Sequence, residues 1–131
     1  MKVLSIREPF ATLVKDGVKV YETRSWKTNY RGEIYIHACL SMSKSANSEG
    51  AKKYLKSEMN PGHILCKCKL VDCIPMTKEF IDYIYKETKE YEYGRYSEER
   101  FAWKLEVIEI LDNPIAAKGK LGIWNFEEGD N

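Results

Sequence analysis

Gly17-Val18-Lys19-Val20-Tyr21-Glu22-Thr23-Arg24-Ser25-Trp26 is the stretch on which the reading of this chain turns. Apolar, helix-like sequence precedes it and a strongly alternating strand follows it. Within it, opposite charges crowd a segment that otherwise reads as buried strand. Burying an unpaired charge costs several kcal/mol, so Glu22 and Arg24 must pair or serve a ligand. Strand alternation places Val18, Val20, Glu22 and Arg24 on one face and Lys19, Tyr21 and Thr23 on the other. Lys19 and Glu22 are three apart and cannot share a face of a regular strand. A joint site therefore needs a turn or bulge near Lys19, which the neighbouring Gly17 permits.

Working outward toward the N-terminus, residues 3–6 form a short β-type run. Pro9 suits the first position of a helix, where its missing N–H is not needed. Phe10, Leu13 and Val14 give that helix one apolar face, and Gly17 can end it in a left-handed conformation. Toward the C-terminus, residues 18–24 read as strand, Asn29-Tyr30-Arg31-Gly32 as a turn, and residues 33–39 as a clean alternating strand. Residues 41–60 are polar and mostly helix-compatible: a surface helix or a partly mobile excursion over the cleft. Pro61-Gly62 stops it. A long strand at 63–76 has apolar residues in both phases, as expected if it curves around a barrel. Thr77 can cap a second helix running through Lys89. Residues 90–100 form a charged, tyrosine-rich loop and residues 101–111 another strand. Asp112-Asn113-Pro114 reads as a turn, Lys118-Gly119-Lys120-Leu121-Gly122 as a basic loop, residues 123–126 as a last strand, and residues 127–131 as an acidic tail. About six strands and two or three helices in this order predict an α+β or mainly β fold. The expected architecture is a small mixed β-barrel with helices packed outside it, in a single domain over residues 1–131.

With 131 residues, 44% of them hydrophobic, the chain can bury a real core. Lys+Arg number 21 against 20 Asp+Glu, a net charge of +1, so nucleic-acid binding has to come from a local patch and not from a global basic field. No apolar run is long enough to span a membrane, and the first residues enter strand pattern without a signal-peptide region, which predicts a cytoplasmic protein. In that reducing setting the four cysteines are expected as free thiols. Cys66, Cys68 and Cys73 with His37 or His63 lack the Cys-x-x-Cys pairs of zinc sites, so no metal is expected. No glycine-rich loop of the P-loop or dinucleotide type is present, and no cofactor is expected.

Three blocks of the N-terminal third carry a resemblance. Leu4-Ser5-Ile6-Arg7-Glu8-Pro9-Phe10-Ala11 is similar to a Leu-Ser-Ile-x-x-Pro-aromatic-Ala opening. Gly17-x-Lys19-x-x-Glu22-x-Arg24 matches a Gly-x-Lys-x-x-Glu-x-Arg signature. Ser25-Trp26 follows, and after Arg31-Gly32 comes Ile34-Tyr35-Ile36-His37-Ala38. In this order and spacing they resemble the ASCH domain family, a branch of the PUA-like barrels. The resemblance implies a PUA-like barrel with an open polar cleft lined by the signature residues, and an RNA-related role. Some small bacterial members are amidohydrolases that deacylate N4-acetylcytidine with a lysine, a threonine and a glutamate, and ribonuclease activity has been attributed to a member. Lys19 matches the lysine, whereas Glu22 stands where those enzymes carry threonine. Glu79, Glu87 and Glu92 are the candidates for the glutamate.

The candidate site follows. Lys19 and Arg24 would hold a phosphate or a base carbonyl. Glu22, a carboxylate flanked by two cations, suits hydrogen-bond acceptance from an exocyclic amine better than proton donation. The structural alternative is a Glu22–Arg24 pair that only ties the strand to a neighbour. Ser5 and Arg7 precede the helix that Pro9 opens, where free N–H groups favour an anion or carbonyl. Trp26 is the aromatic expected to be exposed for stacking on a base, with Phe101 and Phe126 assigned to the core. His37 reads as a satisfied strand histidine near the cleft, and Lys118 as a phosphate contact. The leading expectation is a module that binds RNA or a nucleotide or nucleoside. The alternative is an enzyme with Lys19 and Glu22 as its catalytic pair, an amidohydrolase or a ribonuclease on single-stranded RNA. A third class is a structural or partner-binding domain in which the ion pairs are purely architectural.

Overall fold

Alternating apolar residues build six strands: Lys2–Glu8 (β1), Tyr21–Arg24 (β2), Gly32–Met42 (β3), His63–Pro75 (β4), Phe101–Ala116 (β5) and Ile123–Asn125 (β6). Three helices accompany them, Phe10–Lys15 (α1), Ser48–Ala51 (α2) and Lys78–Glu87 (α3). The computed structural model describes residues 1–127; positions 128–131 of the expected acidic tail lie outside the described residues. The strands form one sheet in the order β2-β5-β4-β3-β1-β6. β1 and β3 run parallel, with Leu4 opposite Ile36 and Ser5 opposite His37, and the other pairs are antiparallel. This is a mixed α+β fold.

The inward phase of the central strands makes the core. Leu4, Ile6, Ile34, Ile36, Leu70 and Trp103 are all but fully buried there, and α1 closes one side with Ala11 and Val14. Each such aliphatic side chain contributes about 1.5–3 kcal/mol on burial. At the other end Thr77 caps α3 by accepting the Phe80 N–H through its hydroxyl at 3.1 Å, and the helix buries Ile84 against Tyr21, Met76 and Ala102.

Several boundaries differ from the sequence reading. β2 begins at Tyr21, not at 18. Gly17 adopts φ +76°, and the Val18 and Lys19 N–H groups both donate to Leu13 O at 3.1 Å, so residues 17–20 are a turn. α1 begins at Phe10, Pro9 takes the N-cap position, and the Glu8–Pro9 peptide is cis. The polar excursion is not a long helix. It holds α2, a 3-10 turn over Lys52–Tyr54, and Ala51 buried against Leu13 and Tyr93. β5 does not stop at 111: Cys66 lies opposite Ile110 and Ile64 opposite Ile115, so 111–114 bulge out of a ladder that resumes to Ala116. Pro114 lacks a ladder donor, which suits it to such a bulge.

The closed barrel is corrected as well. The sheet is open, with four-residue β2 and three-residue β6 at its ends. A side chain spans part of the gap. Arg24 Nη2 crosses it, donating to Ser5 O at 2.9 Å, while Trp103 Nε1 donates to Trp26 O at 3.3 Å on the β2 side of the gap. Among the described residues, no helix is long and apolar enough to cross a membrane.

Candidate functional site

The turn after Gly17 decides the site, because it swings Lys19 onto the side of Glu22 that strand alternation would have denied it. Lys19 is 3% exposed. Its Nζ donates to Tyr93 O at 2.6 Å and lies 3.8 Å from Glu22 Oε1. Glu22 Oε2 in turn accepts from Arg24 Nε at 2.9 Å and is ion-paired with Arg24 Nη2, also at 2.9 Å. One carboxylate oxygen is thus fixed by a guanidinium, and Oε1 keeps its acceptor capacity. Burial disfavours the charged ammonium and pulls the Lys19 pKa down, against the opposing pull of Glu22 and Glu90.

The turn is held by Glu90, which lies in a 3-10 turn over Glu90–Tyr93. Its buried carboxylate accepts the Val20 N–H at 3.1 Å on either oxygen and the Tyr21 N–H at 3.2 Å. Burial pushes the Glu90 pKa up, partly offset by those two N–H groups and by Lys19. The sequence reading missed Glu90. Its partners lie 70 residues away, so no local pattern announces it. Of the glutamates considered for the third catalytic role, Glu92 accepts from Tyr54 Oη at 2.6 Å, Glu79 and Glu87 lie on α3, and none lines the cavity described next.

A cavity of about 920 Å³ opens where the two ends of the sheet face each other. Of the eight expected site residues, Ser5, Arg7, Lys19, Glu22, Arg24, His37 and Lys118 line it. Trp26 is 40% exposed but outside the lining; it packs edge-on against Trp103, with ring centroids 4.7 Å apart, beside the rim glycine Gly122. Lys120 of the same basic loop lines it too, as do Arg95 and Arg100, which the sequence reading did not select. Counting these, seven cations and one carboxylate face a single cavity, in a chain whose net charge is +1.

The far wall is a chain of hydrogen bonds whose directions are fixed by donor logic. Trp124 Nε1 donates to Ser5 Oγ at 2.9 Å, Ser5 Oγ lies 3.0 Å from His37 Nδ1, and His37 Nε2 lies 2.7 Å from Ala117 O. A carbonyl only accepts, so Nε2 carries the proton. In the neutral ring Nδ1 then accepts the Ser5 hydroxyl. Burial lowers the His37 pKa, favouring that neutral form. The basic loop rests on this chain: a Cβ at Gly119 would lie 3.0 Å from both His37 Cε1 and Ser5 Oγ.

The start of α1 is not the free anion site expected of it. Glu8, fully buried, accepts the Thr12 N–H at 2.7 Å and also bonds the Thr12 hydroxyl. Thr23, next to the position where the amidohydrolases carry threonine, accepts the Arg95 N–H at 3.2 Å on its hydroxyl. Cys66 and Cys68 are buried with sulfurs 4.0 Å apart, all four cysteines are free, and among the described residues no three metal-ligating side chains cluster.

The family model of the ASCH domain matches residues 4–114. The chain belongs to the ASCH domain family. That family lies within the PUA-like superfamily, and its members are generally RNA-binding. No curated protein matches the chain. In this ASCH domain Gly17 makes the turn, Lys19 is a buried ammonium, and Glu22 is a carboxylate clamped by the Arg24 guanidinium.

Proposed function

We propose that this ASCH domain binds RNA or a nucleotide, taking a base and a phosphate into the cleft lined by Lys19, Glu22 and Arg24. The observation that carries the reading is the charge segregation: seven of the chain's 21 cations line one cavity with a single carboxylate. Such a field draws an anion from solution and positions it without reading sequence. Glu22 Oε1 accepts from an exocyclic base amine while Lys19 and Arg24 meet a carbonyl or ring nitrogen. Arg7 and Lys118 contact phosphate, and the Ser5 hydroxyl adds a polar contact beside His37. The test is a titration with the four nucleoside 5′-monophosphates at two salt concentrations. Saturable binding that weakens with salt and with Arg24→Ala is expected, and no saturable binding even at low salt would sink the reading.

One observation favours a second reading, hydrolysis of an acylated nucleoside such as N4-acetylcytidine. Burial shifts Lys19 toward the neutral amine that a general base requires. Against it, Glu22 occupies the place of the nucleophilic threonine. Incubation with N4-acetylcytidine separates the two: release of acetate that disappears in Lys19→Met supports hydrolysis, and an unchanged substrate leaves binding alone.

A further inference from the structure

We propose that the cleft grips two phosphates, one on each side of a single base, and so takes an internal nucleotide of a single strand in preference to a free nucleoside. This rests on the nucleotide reading above. Four of the seven cations stand away from the Lys19–Glu22–Arg24 group, in two pairs on separate walls: Arg95 with Arg100, and Lys118 with Lys120.

One wall is attached to β2. Arg95 donates its backbone N–H to Thr23 Oγ1 at 3.2 Å, and Arg100 donates from Nη2 to Thr23 O at 3.1 Å and from Nε to Arg95 O at 3.2 Å. Two of the five guanidinium donors of Arg100 are used on main-chain carbonyls, and neither arginine forms an ion pair among the described residues. The other wall is attached to β1 and β3. Ala117 O is held by His37, Gly119 packs on His37 and Ser5, and these place Lys118 and Lys120 on the cavity. Lys120 lies over the Trp124 ring at 5.7 Å, while Lys118 forms no ion pair among the described residues. Between the walls run the Arg24–Ser5 bond and the Glu22 carboxylate.

Two like-charged walls are unfavourable in an empty cleft. Within the first wall the two arginines also repel, Arg95 lowering the Arg100 pKa second to burial. An anion on each wall relieves both, and one phosphate on one wall relieves only one. A nucleotide within a strand carries a phosphate on either side of its base, which the Glu22 acceptor between the walls can then read. The base must be unpaired for its edge to reach that acceptor, so a single strand fits and a duplex does not.

The test uses the base found to bind best and four probes of it: nucleoside, 5′-monophosphate, 3′-monophosphate and 3′,5′-bisphosphate. The bisphosphate is expected to bind about ten-fold tighter than either monophosphate. Arg95→Ala and Lys118→Ala, both exposed positions, should each remove most of that advantage, one acting on the 5′ and the other on the 3′ phosphate. A bisphosphate within two-fold of the better monophosphate, or two variants that weaken the same monophosphate alike, overturns the two-wall grip and leaves nucleotide binding standing. Failure of all the nucleotides to bind overturns both.

Discussion

Arg24 Nη2 reaches Ser5 O across 2.9 Å and so joins β2, at one end of the sheet order, to β1, next to the other end. A closed barrel would have a backbone ladder there. This protein has one guanidinium instead, and the cleft opens around it. Arg24 also holds Glu22 Oε2, by a hydrogen bond from Nε and an ion pair with Nη2. Replacing it by methionine therefore leaves a nearly buried carboxylate with only the more distant Lys19 as counter-charge. Arg24→Met is expected to cost about 2 kcal/mol by chemical denaturation. Arg24→Met with Glu22→Gln should recover part of this, a coupling that a double-mutant cycle reads directly.

Glu90 is the second support, and its removal tests whether the Lys19 turn is built or incidental. Glu90→Ala orphans the Val20 and Tyr21 N–H groups, at a cost of about 1–3 kcal/mol in unfolding free energy. It also removes a charge that favours the Lys19 ammonium. Glu90→Gln keeps an acceptor and should cost less. Equal stability for wild type and Glu90→Ala would show that the turn does not depend on it.

How much of this was legible in the sequence follows from the range of the interactions. The turn at Gly17 was legible only as a condition: residues 18–24 read as strand, and Lys19 could join Glu22 only if the chain turned there, as it does. The Glu22–Arg24 pair was legible because alternation puts both on one face. Glu90, Arg95 and Arg100 were not, because each is held by partners some 70 residues distant. Residues 41–60 misled in another way. Ala51, Tyr54 and Leu55 stand out there as sparse apolar residues, but nothing local shows that they pack with Leu13 and Tyr93. The open sheet was out of reach too: the strand pattern gives the elements, but closure depends on whether the short end strands meet.

His37 gives a pH dependence with a defined sign. Its folded-state pKa lies below its ordinary value of 6.5, because burial opposes the charged ring. The folded protein therefore binds fewer protons than the unfolded chain in the window just beneath 6.5. The stability contribution is complete above 6.5 and is lost as pH falls through the folded-state value. Glu90 works in the opposite sense: with its pKa raised above 4.5, its contribution is lost as pH rises through the raised value. His37→Gln should flatten the decline of the thermal midpoint between about pH 7 and about pH 5 relative to wild type. An unchanged slope would show that His37 does not titrate on unfolding in that range.

Gly119 tests the seating of the basic loop. Its Cβ would approach His37 Cε1 and Ser5 Oγ to 3.0 Å, so Gly119→Ala must lift the loop by a few tenths of an ångström. The loop is exposed, and the expected stability loss is small, about 0.5 kcal/mol. The expected loss in nucleotide affinity is larger, because Lys118 and Lys120 move with the backbone. Affinity and stability falling in the same proportion would argue that the loop only packs.

Trp26 separates a ligand that ends in the cavity from one that continues past it. The indole is 40% exposed at the rim beside Gly122 and outside the lining, so a mononucleotide in the cavity need not touch it. A strand leaving over the Lys118 wall would pass it, and a flanking base stacked there would add about 1–3 kcal/mol. Trp26→Ala is therefore expected to weaken a trinucleotide much more than the mononucleotide, with a stability cost of about 0.5–1.5 kcal/mol for the lost edge contact on Trp103. Equal losses for the two ligands would place the indole's effect on the cleft itself, through Trp103, which packs behind Arg24 with its ring 6.0 Å from the guanidinium. No loss for either would leave Trp26 a surface contact of the fold and direct the strand away from Gly122.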